Sequence, residues 1–95
     1  MRRAAFLDRD GVINRPRIVD GKPYPPVGIQ DLELDDGVTH AVLQLKSIGL
    51  LVIVVTNQPD VARGTTSRDA VDAIHSVLRR QLEIDDIFVC FHDDN

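Results

Sequence analysis

Asp8 and Asp10 stand two residues apart in the stretch "AAFLDRDGVIN", residues 4–14, directly behind an apolar run and ahead of a glycine. Two carboxylates this close repel unless something positive lies between them. A magnesium ion answers that need, because it takes one or two carboxylates together with phosphate and water oxygens. A carboxylate can also attack phosphorus to give an aspartyl-phosphate, while a second acid serves the leaving group. Gly11 lets the backbone turn sharply so that both acids face one pocket. A solvated loop at a strand end carries the same spacing, so the pair needs company before it means catalysis.

Candidate company comes from three places. Thr56 and Asn57 end the run "LLVIVVT" and its following turn, where a hydroxyl and backbone N–H groups can hold phosphoryl oxygens. The plainer reading is a β-branched strand residue and a turn asparagine. Arg63, between Ala62 and Gly64, can bind a second anionic group or stand as a solvated surface charge. Cys90 and His92 form a C-x-H pair of the kind that suits Zn²⁺, yet a closed structural site wants four ligands. Asp93 and Asp94 offer oxygens, and a buried strand-end cysteine beside a solvated histidine is the simpler alternative. His40 and His75 lie in helical patterns without partner spacing and read as structural.

The elements that must position these residues follow from periodicity. Residues 4–8 read as a short, fully buried strand. Residues 15–36 form a proline-rich loop, with "KPYPPVG" too rigid to be helical. Val38, Ala41, Val42, Leu45 and Ile48 have the spacing of an amphipathic helix, with Asp36 as N-cap and Gly49 as its stop. Residues 50–56 are a β-branched run suited to a buried parallel strand, followed by the loop "NQPDVARGT". Thr66 with Asp69 resembles a capping box that opens a helix with Val71, Ile74, Leu78 and Leu82 inward. "DIFVC", 86–90, is a third strand. This alternation predicts right-handed crossovers and a parallel sheet, whose ligands bind beyond the carboxyl ends of the strands. Asp8 and Asp10, Thr56 and Asn57, and Cys90 with His92 should then gather on one sheet edge.

Bulk properties bound the function. The chain of 95 residues suffices for one small domain, and its net charge of -4 lacks the basic face that nucleic acid requires. A single cysteine fits a reducing, cytoplasmic compartment, and nothing approaches the roughly 20 apolar residues of a membrane span. "MRRAAFL" is too short in apolar residues for a secretory signal.

Two of these stretches together resemble a family. "FLDRDGVIN" is similar to motif I, DxDG(T/V), of the haloacid dehalogenase superfamily. "VIVVTNQPDVARG" is similar to its motif II with the extension of subclass IIIA, which includes heptose 1,7-bisphosphate and histidinol-phosphate phosphatases. "CFHDD" resembles the first half of the zinc loop of those enzymes. The resemblance implies a parallel three-layer, Rossmann-like α/β fold, of which the first three strands and two helices are present. Residues 1–95 would be the N-terminal part of one hydrolase domain without a separate cap. It implies Asp8 as nucleophile and Mg²⁺ ligand, and Asp10 as general acid and base with its carbonyl on the metal. Thr56 would hold the transferring phosphoryl group, Asn57 and Arg63 would line the substrate pocket, and Cys90 and His92 would be two of four Zn²⁺ ligands.

The same family requires a motif III lysine or arginine, a motif IV acid and the C-x-C half of the zinc loop. The lysines here, Lys22 and Lys46, both precede motif II. The expectation is therefore a Mg²⁺-dependent phosphatase for a small phosphorylated sugar, with the isolated 95 residues inactive or nearly so. Histidinol phosphate, an amino-alcohol ester, is the alternative substrate. A receiver-like phospho-acceptor or a binding fragment is the alternative class. The "KPYPPVG" loop and a zinc loop are expected to act together as a partial lid, and the "AAFL" strand to present an open edge for self-association.

Overall fold

A computed structural model describes residues 3–92, so Asp93 and Asp94, the candidate oxygen ligands, lie outside the described residues. Three strands, β1 (Ala4–Asp8), β4 (Leu51–Asn57) and β5 (Asp86–Cys90), form a parallel sheet in the order β1-β4-β5. Between β1 and β4 the chain makes a small antiparallel hairpin of β2 (Arg17–Val19) and β3 (Lys22–Tyr24). A 3-10 turn (Ile29–Asp31) and helix α1 (Val38–Ser47) follow. Between β4 and β5 come a short helix, α2 (Pro59–Arg63), and the longer α3 (Arg68–Gln81).

The parallel sheet agrees with the unbroken apolar runs, and register fixes the faces. Val52 and Val54 of β4 point to one side, where they meet Val38 and Val42 of α1, Ile74 and Leu78 of α3, and Ile87 of β5 in one buried cluster. Both helices therefore cover the same sheet face, as two right-handed crossovers in one direction demand. On the opposite face Phe6 is 67% exposed and Phe88 54%, because no described element covers it. The expectation that β1 is fully buried is thus corrected. It pairs with β4 along one edge and, among the described residues, has no partner on the other.

Local details differ where a single residue decides them. Helix α1 starts from Gly37 in the left-handed region (φ 83°), not from an Asp36 side-chain cap. It buries Val38 and Val42 but leaves Ala41 and Ile48 exposed, so its apolar stripe is narrower than its spacing suggests. Its end is a Schellman turn around Gly49 (φ 88°), with Leu50 N donating to Leu45 O at 3.1 Å and Gly49 N to Lys46 O at 3.0 Å. Helix α3 is capped by Ser67, whose hydroxyl accepts from Ala70 N at 3.1 Å. Thr66, the expected cap, instead donates its hydroxyl to Val27 O at 3.2 Å. The predicted inward set of α3, Val71, Ile74, Leu78 and Leu82, is buried throughout.

The proline-rich loop is more ordered than a loop reading allows. Arg17 Nε donates to Pro25 O at 3.1 Å and holds the hairpin to the segment that follows it. The stretch "NQPDVARG" likewise contains α2, begun by Pro59 at the first helical position and ended by Gly64 at φ 82°.

Candidate active site

The carboxyl ends of β1, β4 and β5 lie side by side, with Asp8 in register with Val55 and Asn57 in register with Cys90. Alternation along β1 sends Ala5 and Leu7 toward the helices and Phe6 and Asp8 toward the open face. Arg9, the next residue in this period of two, also turns to the helix side and is 1% exposed. Along β4 the same rule takes Val52, Val54 and Thr56 inward, and Gln58 continues it one step past the strand at 1% exposure. Thus the two strand ends send one cation and one amide into the same buried space.

They converge on Asp10. Its Oδ1 accepts from Arg9 Nη2 at 2.8 Å, Arg9 Nε at 3.3 Å and Asn14 Nδ2 at 3.0 Å, and its Oδ2 from Gln58 Nε2 at 2.9 Å. Gln58 Nε2 also donates to Thr56 Oγ1 at 2.8 Å, which leaves the threonine hydroxyl proton free to donate elsewhere. Arg9 Nη1 lies 3.0 Å from Nε2 of His75 on α3. Burial and the Arg9 guanidinium beside it push the His75 imidazole down from 6.5 to about 4, so the ring is neutral and Nε2 accepts.

The turn that carries Asp10 is built by its own backbone. Arg9 O accepts from Ile13 N at 2.8 Å and Asn14 N at 3.1 Å, and Gly11, at φ 88°, donates from its N to Asn14 O at 2.8 Å. Asn14 is fully buried, and its Oδ1 has no partner in the protein among the described residues. This loop sits at the wall of a cavity of about 390 Å³ lined by Asp10, Gly11, Pro16, Pro23, Tyr24 and Pro25. Tyr24 and Pro25 also border a second cavity of about 340 Å³, reaching Arg17, Asp60, Thr65 and Thr66. Tyr24 and Pro25, at the exit of the hairpin, therefore line both spaces.

Asp8 contrasts with Asp10. It is exposed, and its side chain makes no hydrogen bond or ion pair among the described residues. An uncommitted carboxylate at a strand end, two residues from a backbone carbonyl on a tight turn, is the donor set that Mg²⁺ takes alongside phosphate and water. The residues fit that ion.

The remaining candidates stand further out. Asn57 is exposed at the end of β4. Arg63 pairs with Asp60 at 3.7 Å on α2 and does not border either cavity. Cys90 is exposed rather than buried, and His92 is exposed. Arg68 of α3 stacks 4.1 Å above Phe91 and anchors this segment to the helix. Among the described residues no three His, Cys, Asp or Glu side chains converge as a metal site, so the described part of the C-x-H stretch does not by itself fit a closed Zn²⁺ site.

Four partners of Asp10 escaped the motif reading: Arg9, Asn14, Gln58 and, through Arg9, His75. The first and third carry a signal, being the next inward positions of β1 and β4. His75 carries another, as a polar residue on the apolar stripe between Val71 and Leu82.

No protein-family model matches the chain. It is 41% identical over 97 residues to the D-glycero-beta-D-manno-heptose-1,7-bisphosphate 7-phosphatase of Rhodopseudomonas palustris, covering 96% of this chain and 50% of that protein. The enzyme of the same name from Escherichia coli K12 is 35% identical, with 94% of this chain and 46% of the relative covered. Among solved structures, D,D-heptose 1.7-bisphosphate phosphatase from B. bronchiseptica, complexed with magnesium and phosphate, superposes with a TM-score of 0.81 at 29% identity. That match covers 100% of this chain and 52% of the other. A had-like phosphatase from Mesorhizobium loti matches with a TM-score of 0.74 at 28% identity, covering 98% and 44%. The shared fold and the placement of "DRDG" at the end of its first strand agree with the motif reading. In sequence and fold the chain is similar to heptose bisphosphate phosphatases and to a had-like phosphatase, and it spans about half the length of the curated relatives it matches.

Proposed function

We propose that the complete protein is a Mg²⁺-dependent phosphatase acting on a small sugar phosphate of the heptose 1,7-bisphosphate type. The observation that carries this reading is the unequal state of the two acids. Asp8 is uncommitted and exposed, while Asp10 is held by Arg9, Asn14 and Gln58. A nucleophile needs a free oxygen, and an acid–base group needs a fixed one.

In the first step a carboxylate oxygen of Asp8 attacks phosphorus, and the bond from phosphorus to the sugar oxygen breaks. Asp10 gives its proton to that leaving oxygen. In the second step Asp10 takes a proton from water, the water oxygen attacks phosphorus, and the Asp8–phosphorus bond breaks to release phosphate. Oδ2 of Asp10, with a single donor, is the oxygen suited to carry the proton. Thr56 donates its free hydroxyl proton to a phosphoryl oxygen, and Asn57 and Arg63 contact the substrate from the rim. Mg²⁺ held by Asp8 and the Asp10 carbonyl would supply the positive charge that lets two anions meet.

The names of the relatives support the sugar bisphosphate over histidinol phosphate. The reading takes the chain as part of one hydrolase domain, and the hairpin, 3-10 turn and α1 between the two motifs support it. Its single, exposed cysteine suits a reducing cytoplasm. Cys90 and His92 are proposed as half of a structural Zn²⁺ site in the complete protein, without a part in the chemistry. Because the chain spans half of its relatives, the 95 residues alone are expected to turn over little.

The test compares Mg²⁺-dependent phosphate release from heptose 1,7-bisphosphate and histidinol phosphate by the complete protein and its Asp8→Asn variant. Faster release from the sugar, abolished in Asp8→Asn, supports the reading. Acyl-phosphate labelling that survives Asp8→Asn would instead favour a receiver-like phospho-acceptor.

A further inference from the structure

We propose that His75 is a positioning residue, whose Nε2 lone pair fixes the Arg9 guanidinium and through it the Asp10 carboxylate. The inference rests on the phosphatase reading above.

His75 turns one ring nitrogen to Arg9. It lies on the inward stripe of α3, is 6% exposed, and its Nε2 faces Arg9 Nη1 at 3.0 Å. Arg9 has no water to satisfy its N–H groups, because it is 1% exposed. A buried guanidinium must place every donor on an acceptor, and its planar fork couples those choices. With Nη1 on His75, the same plane delivers Nη2 and Nε to Asp10 Oδ1. Without an acceptor at His75, the guanidinium would turn to satisfy Nη1 and take the Asp10 side chain with it.

Helix α3 gives the link a second anchor in the core, beside that of Ile13 in the turn itself. His75 is flanked on α3 by Ile74 and Leu78, both in the central apolar cluster. Arg9 and Asp10 sit in a turn closed by backbone hydrogen bonds. The chain Ile74 and Leu78, then His75, Arg9 and Asp10, therefore ties the acid–base group to the core. A neutral, accepting ring fits this role, since an imidazolium 3.0 Å from a guanidinium would set two cations against each other.

The experiment uses the complete protein with p-nitrophenyl phosphate and magnesium chloride, with rates expressed per folded molecule. His75→Leu keeps the apolar volume and removes the acceptor, whereas His75→Gln retains an acceptor oxygen. The expected result is a fall in kcat of about 10-fold at unchanged KM in His75→Leu, the low end of the range for a direct partner, because His75 acts on Asp10 through Arg9. His75→Gln should recover most of that loss. In ¹⁵N-edited NMR spectra the Arg9 Nη1 protons should be resolved in the unmodified protein and in His75→Gln, and lost in His75→Leu. Should His75→Leu not fold, His75→Phe makes the same cut, since a phenyl ring fills the site without a nitrogen acceptor, and it must show the same loss of kcat. Release by the unmodified protein with unchanged kcat in the variant that removes the link overturns the inference alone. Equal losses in His75→Gln and His75→Leu also overturn it, since they would mark a packing role. Absence of Mg²⁺-dependent release by the unmodified protein overturns the phosphatase reading, and the inference with it.

Discussion

Gln58 and Asp10 are joined by a 2.9 Å hydrogen bond from Nε2 to Oδ2 across 48 residues of sequence. The bond links the end of β4 to the turn after β1, and the same amide nitrogen also meets Thr56. One buried side chain thus sets the spacing between the proposed acid–base group and the proposed phosphoryl contact.

Replacing Gln58 with Leu should cost about 2 kcal/mol of stability, the range for a hydrogen bond to a charged group. Gln58→Glu should cost more, because it sets a second carboxylate against Asp10 in a buried place. Urea denaturation of the three proteins measures both differences. Equal midpoints for Gln58→Leu and the unmodified protein would contradict the tie.

The two aspartates should differ in structural cost although they are two residues apart. Asp8→Asn changes an exposed, unpartnered side chain and should shift stability by less than about 0.5 kcal/mol. Asp10→Asn leaves the buried Arg9 cation without its counter-charge and should destabilise by about 2–3 kcal/mol. Both should abolish phosphate release. A calorimetric comparison of the two variants tests the asymmetry, and equal melting temperatures would oppose it.

His75 gives a pH dependence whose sign is fixed by its depressed value. The unfolded ring binds a proton near pH 6.5, while the folded ring resists until about pH 4. Between these values the unfolded chain holds more protons, so stability rises with pH and is lost as pH falls from 6.5 toward 4. Burial and Arg9 drive the shift, Arg79 adds to it, and Asp72 and Asp10 oppose it. The loss should amount to roughly 2–3 kcal/mol. Stability measured at steps of pH in the unmodified protein and in His75→Gln isolates this contribution, which should vanish in the variant.

The bare face and edge of β1 should make the 95-residue chain associate. Phe6 projects from an edge strand with no partner on its outer side among the described residues. Such edges are templates for pairing, and an outward lysine blunts them. Sedimentation velocity should show an apparent mass that grows with concentration, and Phe6→Lys should suppress the growth. A concentration-independent monomer would refute this.

What could be read along the chain was whatever repeats locally. Unbroken apolar runs, β-branched in β4, mark β1 and β4 as parallel strands, and the stripe Val71, Ile74, Leu78 and Leu82 marks α3, because such patterns are properties of neighbouring residues. Strand, helix and strand in alternation then put Asp8, Asp10, Thr56 and Asn57 at one sheet edge, since parallel crossovers have one hand. The hairpin at Arg17–Tyr24 escaped because three-residue strands carry no period. The cap of α3 moved from Thr66 to Ser67 because adjacent hydroxyls compete and tertiary contact with Val27 claims one of them. The state of each acid was beyond sequence for a deeper reason. Arg9 meets His75 across 66 residues only when α3 closes on the sheet, and Gln58 meets Asp10 across 48 only when β4 pairs with β1. Local pattern therefore located the two carboxylates, while packing between distant elements made one of them a clamped acid and left the other free.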